Sequence, residues 1–209
     1  GGADISIQNV AVKEFDDPQN PTGAKLRSTG GIYAYSGDGA INIGAENNDA
    51  SNAIGDIFTQ GRGIYARSDG GSVDIAVTGA ITAGANGIEV DNNGTGQTTE
   101  NVNAITTTGG RGLSVENGAN TTGLTINATG TIAATGSTDS GIEARHFGTG
   151  NVTINATSVT STGDDGIYAY SEVNSGDVSI TSTGLVQGAD EGIDVNHFVT
   201  GAVTVMAAE

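Results

Sequence analysis

Gly63-Ile-Tyr-Ala-Arg-Ser-Asp-Gly-Gly-Ser-Val-Asp-Ile-Ala-Val-Thr-Gly-Ala-Ile81 contains three short apolar bursts separated by turn residues. The bursts open at Ile64, Val73 and Ile81. Alternation of β-branched with polar residues over three to five positions reads as half-buried strand. Gly, Ser, Asp and Thr between the bursts supply turn chemistry. No window carries apolar residues at i, i+3, i+4 and i+7 across three turns, so no amphipathic helix is expected.

Working outward from this stretch, its opening phrase recurs. Gly-(Ile/Leu)-x-(Ala/Val) begins at Gly31, Gly63, Gly87, Gly112, Gly141, Gly166 and Gly192, with spacings of 32, 24, 25, 29, 25 and 26. A second burst opens at Val73, Leu124, Val152, Val178 and Val203, and a third at Ile81, Ile132, Val159 and Leu185. The repeat at Gly87 has a polar second strand near Gln97 to Thr99, followed by Ile105. Three strands in roughly 25 residues leave no room for a helix. The unit matches one coil of a solenoid whose coils stack at about 4.8 Å. The sequence therefore predicts a right-handed, three-sided parallel β-helix of about seven to eight coils, its handedness taken from the crossover rule. Ile at the second motif position and Ala or Val at the fourth should point inward. The third and fifth should point out. Glycine should open each first strand because the backbone turns tightly there.

This reading accounts for an unusual composition. The chain has 209 residues, 35 of them glycine, and 35% hydrophobic residues. A low core-forming fraction ordinarily suggests disorder, but a column shared by stacked coils needs only about six inward side chains per coil. Seven Lys and Arg against 24 Asp and Glu give a net charge of −17, which argues against nucleic-acid binding. The absence of cysteine excludes disulfides, thiolate metal sites and a Cys nucleophile. No apolar run approaches the roughly 20 residues of a membrane-spanning helix.

The whole of 1–209 reads as a single solenoid segment. Asp4 to Ile7 reads as a second strand and Val10 to Val12 as a third, so the chain is expected to begin mid-coil and to stop mid-coil after Val205. Residues 13–30, with Pro18 and Pro21, read as an inserted loop.

Repeats of the form Gly-Ile-Tyr-Ala-x-x-x-x-Gly-x-Val-x-Ile-x-x-x-Gly-x-(Ile/Val), rich in Thr, Asn and Gly, resemble the passenger regions of bacterial autotransporters. Gly63 to Ile81 and Gly141 to Ile154 carry the resemblance, which extends from about Asp4 to Met206 apart from 13–30. It implies an extracellular or cell-surface location and a translocating β-barrel in a missing C-terminal part. It also implies a stalk or adhesin role toward host or bacterial cells, with a surface protein or glycan as partner. A released passenger acting as ligand of a host receptor is the alternative. A monomer is expected. Absence of cysteine suits passage through an oxidising periplasm.

Stacking turns equivalent positions into ladders. The third-position ladder is Tyr33, Tyr65, Glu89, Ser114, Glu143, Tyr168 and Asp194. The fifth-position ladder is Tyr35, Arg67, Asp91, Glu116, Arg145, Tyr170 and Asn196. Tyr33, Tyr35, Tyr65, Arg67, Tyr168 and Tyr170 are the candidate binding residues, since tyrosine provides contact area at small entropic cost. Repeat duplication with exposed-strand propensity is the simpler account of them. Asp139, Asp164, Asp165, Asp190 and Glu191 cluster just before successive motif glycines. Stacked carboxylates repel, and Ca²⁺ would relieve this with the oxygen ligands it requires. No other cofactor is expected. A solvated turn is the simpler account.

His146 and His197 fall at the same place in two coils, and duplication explains them without chemistry. Polysaccharide lyases and hydrolases also use β-helices, with carboxylates beside Arg or Lys. Here the acids cluster, but no Lys or Arg follows Arg145, so no catalytic residues are assigned. Ice binding would need flat Thr-x-Thr ladders. Thr129-Gly-Thr131 and Thr181-Ser-Thr183 occur, but no regular array does.

Overall fold

The computed structural model describes residues 4–8, 30–44, 52–136, 138–172 and 174–208, together with the backbone of 15–16 and 25–26. All named secondary structure among these residues is strand. The strands form a parallel β-solenoid. All seven motif phrases lie in one seven-stranded parallel sheet: Ile32–Ser36, Ile64–Ser68, Ile88–Asn92, Leu113–Asn117, Ile142–His146, Ile167–Ser171 and Ile193–His197. Seven stacked strands enclose six full turns.

The remaining parallel strands run in two further ladders, which the long strands join into one sheet. One runs through Ile5–Ile7, Ile41–Ile43, Val73–Val77 and Thr98–Val102 to the first part of Leu124–Ala134. It continues through Gly150–Ser161, Ser175–Ser182 and Val203–Ala207. The other joins Ile57–Thr59, Ile81–Ala83 and Ile105–Thr107 to the later parts of the two long strands, then Val186–Gln187. The long strand Leu124–Ala134 bridges both ladders across an irregularity between Ala128 and Thr131.

The alternation appears as expected: in Ile32–Ser36, residues 32, 34 and 36 are buried and 33 and 35 exposed. Inward Ile, Val, Leu and Ala from all three ladders meet in one apolar column. Each fully buried Ile or Leu contributes about 2 kcal/mol, so a low hydrophobic fraction suffices when nearly every inward position is filled.

Three readings need adjustment. Leu185 does not open an inward third strand: it is 58% exposed, and Val186 pairs with Val159 instead. The tight turn expected at the motif glycines is not a left-handed one, since among the described glycines φ is positive only at Gly44, Gly123 and Gly150. Close approach requires them. The Gly112 carbonyl accepts the Ile88 N–H at 3.0 Å, and the Gly141 carbonyl accepts the Leu113 N–H at 3.0 Å. A Cβ on Gly112 would stand 2.6 Å from that Gly141 oxygen and 2.3 Å from Ile132 Cγ2. The same clash pattern recurs at Gly87 and Gly141. Thirdly, the polar strand is Thr98–Val102, and it turns Glu100 into the core.

Of the 13–30 segment, Phe15–Asp16 pairs antiparallel with Lys25–Leu26. Most of it, like 10–12, lies outside the described residues.

Candidate functional site

The motif sheet presents its third and fifth positions outward in the expected order, with Tyr33 beside Tyr65 and Tyr35 beside Arg67. Further along, Glu143 lies beside Tyr168 and Arg145 beside Tyr170. The tyrosines fall into two clusters. In the first, the Tyr33 and Tyr65 rings lie 6.1 Å apart, Arg62 sits 5.3 Å from the Tyr65 ring, and Arg67 sits 5.9 Å from the Tyr35 ring. Tyr35 donates to Asp69 at 3.0 Å and Tyr65 to Asp91 at 2.8 Å. The bond to Asp69 raises the Tyr35 phenol above its usual value, and burial, followed by the bond to Asp91, raises that of Tyr65. Tyr33 and Tyr35 are more than half exposed.

In the second cluster, Phe147, Tyr170 and Phe198 form a tilted stack with centroids 5.6 and 5.5 Å apart. Arg145 lies 5.7 Å from the Tyr168 ring, and Tyr170 donates to Glu172 at 2.7 Å. Phe147 and Phe198 escaped the sequence reading. The signal was there: each follows a repeated histidine two coils apart, with Tyr170 in the coil between. Arginine over aromatic faces adds cation–π attraction of about 0.5–1 kcal/mol at exposed sites. All four arginines with described side chains, Arg62, Arg67, Arg111 and Arg145, lie on or beside this sheet.

The acidic residues divide. Asp164, Asp165 and Asp190 each place one carboxylate oxygen within 4.8 Å of the others. Asp165 is buried, Asp164 half-buried and Asp190 exposed. Ser140 donates to Asp164 at 3.2 Å, and the Glu191 N–H donates to Asp165 at 3.1 Å. Burial, opposed by the bonds from Glu191, pushes the Asp165 carboxyl up. Its hydrogen bond with Asp165, reinforced by the Asp190 charge, raises Glu191. Three convergent carboxylates are an oxygen donor set that a hard divalent cation such as Ca²⁺ accepts. Asp139 is engaged elsewhere, 3.4 Å from Arg111, which also binds Glu143 at 2.6 Å.

The sixth motif position carries an inward polar ladder that the sequence reading missed: Ser36, Ser68, Asn92, Asn117, His146, Ser171 and His197. Its members fasten the following turn. Gly39 N–H donates to Ser36 Oγ at 2.9 Å, Gly94 N–H to Asn92 Oδ1 at 2.9 Å, and Asn117 Nδ2 to the Gly123 carbonyl at 2.9 Å. His146 Nε2 bonds the Thr149 carbonyl at 2.8 Å and His197 Nε2 the Gly201 carbonyl at 3.1 Å. Donation to a carbonyl places the proton on Nε2 in both rings. Burial, opposed by the bond to the Thr149 carbonyl, lowers the His146 imidazole from its usual value. Both histidines thus tie turns.

Among the described residues no helix is long and apolar enough to cross a membrane. Comparison of the chain with protein-family models, curated proteins and solved structures finds no match in any of the three. The parallel β-solenoid is the architecture that the autotransporter resemblance implies, though it is not specific to those passengers.

Proposed function

We propose that this chain is the binding segment of an exported bacterial β-solenoid of the autotransporter-passenger kind. In this reading it is a right-handed, three-sided helix of seven to eight coils, displayed at the cell surface or released, and monomeric. A translocating β-barrel elsewhere in the protein serves its export. Its partner is a protein or glycan on a host or bacterial cell, and not nucleic acid. The observation that carries binding over a passive stalk is the paired aromatic clusters: exposed tyrosines braced by arginines and carboxylates on one sheet. Such preordered aromatic groups lose little entropy on contact. Replacing Tyr33, Tyr35 and Tyr65 together with serine should reduce binding of the isolated segment to target cells by at least tenfold, with the melting midpoint little changed. Undiminished binding would remove the stripe from the account.

The Asp164, Asp165 and Asp190 group favours a second reading, a polysaccharide-active solenoid, in which paired carboxylates serve as acid and base or hold a cation against an acidic sugar. Millimolar Ca²⁺ should then raise the melting midpoint, and Asp190→Asn should abolish the rise. Incubation with acidic and neutral polysaccharides should release new reducing or unsaturated ends. An unmoved midpoint together with intact polymers would dispose of this reading.

A further inference from the structure

The second ladder differs from the tyrosine-bearing sheet. Its outward positions repeat Thr125-Ile-Asn-Ala-Thr129 and Thr153-Ile-Asn-Ala-Thr157, then Ser179-Ile-Thr-Ser-Thr183. Register places Thr99, Thr125, Thr153, Ser179 and Thr204 in one column. Asn101, Asn127, Asn155 and Thr181 form the next. The array that spacing alone left irregular is therefore regular in space.

At the edge of these columns lies a groove of about 340 Å³, lined by Asn127, Asn155 and Thr181 on one side and Thr129, Thr157 and Thr183 on the other. Ala128 and Ala156 form its floor. No charged side chain lines it, on a chain of net charge −17.

Its polar groups are held in fixed orientations. Asn127 Nδ2 donates to Asn101 Oδ1 at 2.8 Å, and Asn155 Nδ2 donates to Asn127 Oδ1 at 2.9 Å. Each amide retains a second N–H. Thr129 donates its hydroxyl proton to the Val102 carbonyl at 3.1 Å, and Thr157 donates to the Thr129 carbonyl at 3.0 Å. The lone pairs of both hydroxyl oxygens thus remain as acceptors. Amide donors on one side and hydroxyl acceptors on the other thus border a groove whose exposed lining is mostly carbon, and they repeat along it at about 4.8 Å.

We propose that this groove binds the uncharged sugar units of an extended glycan strand. A sugar ring offers C–H faces that suit the mostly carbon lining and hydroxyls that both donate and accept, which suit the fixed amide and hydroxyl groups bordering it. The prior ordering of the amides lowers the entropy cost of binding. Lack of charge in the groove disfavours an anionic strand, which the surrounding field repels. Lack of carboxylates leaves nothing to hold a cation. Concavity favours a strand lying lengthwise over a flat lattice such as ice. The site stands apart from the tyrosine clusters, so either can fail alone.

The test titrates the segment with cellohexaose, maltohexaose and mannohexaose, with oligogalacturonate as the acidic arm, followed by calorimetry. Saturable binding of at least one neutral hexasaccharide is expected, tighter than oligogalacturonate. Asn155→Ala and Thr181→Arg should each weaken it at least tenfold at an unchanged melting midpoint, while Tyr33→Ser leaves it unaltered. No saturable binding to any neutral oligosaccharide, preference for the acidic one, or full binding by Thr181→Arg would overturn the proposal. So would thermal hysteresis in freezing solution without sugar binding.

Discussion

Replacing Glu100 with isoleucine is expected to stabilise the protein by about 3 kcal/mol at pH 7, raising the melting midpoint by about 9 °C. Glu100 is fully buried, and neither carboxylate oxygen has a hydrogen-bond partner. Its neighbours in register are Ile75 and Ile126, so the coils on either side already carry the proposed residue. The buried positions two residues away on its own and the adjoining strands are apolar or neutral: Thr98, Val102, Val73, Val77, Leu124 and Ala128. No charged group offsets the loss of hydration, and burial pushes its carboxyl up to about 8.

The pH dependence follows from the direction of that shift. Between about pH 4.5 and 8 the folded chain holds the Glu100 proton while the unfolded chain has released it. The unfolded state therefore binds fewer protons, and stability falls by about 1.4 kcal/mol per pH unit across this window. Below it the stabilisation is fully present, and above it the penalty is constant. Melting wild type and Glu100→Ile in parallel should show a gap that widens from pH 5 to pH 8. A gap independent of pH would contradict the buried, unpartnered carboxyl.

Gly112→Ala is the second large effect, a destabilisation of about 3 kcal/mol. The new methyl would collide with the Gly141 carbonyl, the acceptor of the Leu113 N–H, and with Ile132 of the third ladder. Neither can withdraw without parting the coil from its neighbour, because backbone and core must yield together. Gly37→Ala is the control: nothing lies within 4 Å of its added Cβ. It should change stability by less than about 0.5 kcal/mol. Chain entropy alone would make both changes slightly stabilising, so equal effects at the two sites would contradict coil contact as the reason for the motif glycine.

Much of this was legible in the chain itself. Period-2 bursts at a recurring spacing predicted the motif sheet, its inward Ile and Ala, and the order of the Tyr33 and Tyr35 ladders. Outward ladders are readable because register between identical phrases has little freedom once each Ile must face the core. Where phrases differ, reading is weaker. Leu185 and Val186 are both apolar, and turn length, which is variable, decides which one faces inward. Glu100 sits at the third place of a burst whose equivalents are Ile75 and Ile126, so strict alternation foretold a buried acid that its polar surroundings disguised. The acidic group was visible as a run before three glycines. Only geometry separated Asp139, drawn to Arg111, from Asp164, Asp165 and Asp190. The Asn and Thr columns were hidden because their members lie 25 to 28 residues apart in the chain while space makes them neighbours.

The central claim is that successive repeats stack in register, since every ladder, cluster and groove depends on it. The most direct measurement uses the absence of native cysteine. Thr125 and Thr153 are neighbours on adjacent coils and face outward, whereas Ile154 faces inward one residue away. Stacking near 4.8 Å lies within disulfide range. Under mild oxidation, Thr125→Cys paired with Thr153→Cys should cross-link nearly completely within one chain, and Thr125→Cys paired with Ile154→Cys should not. Failure of the first pair, or equal linking of the second, would contradict the stacked register.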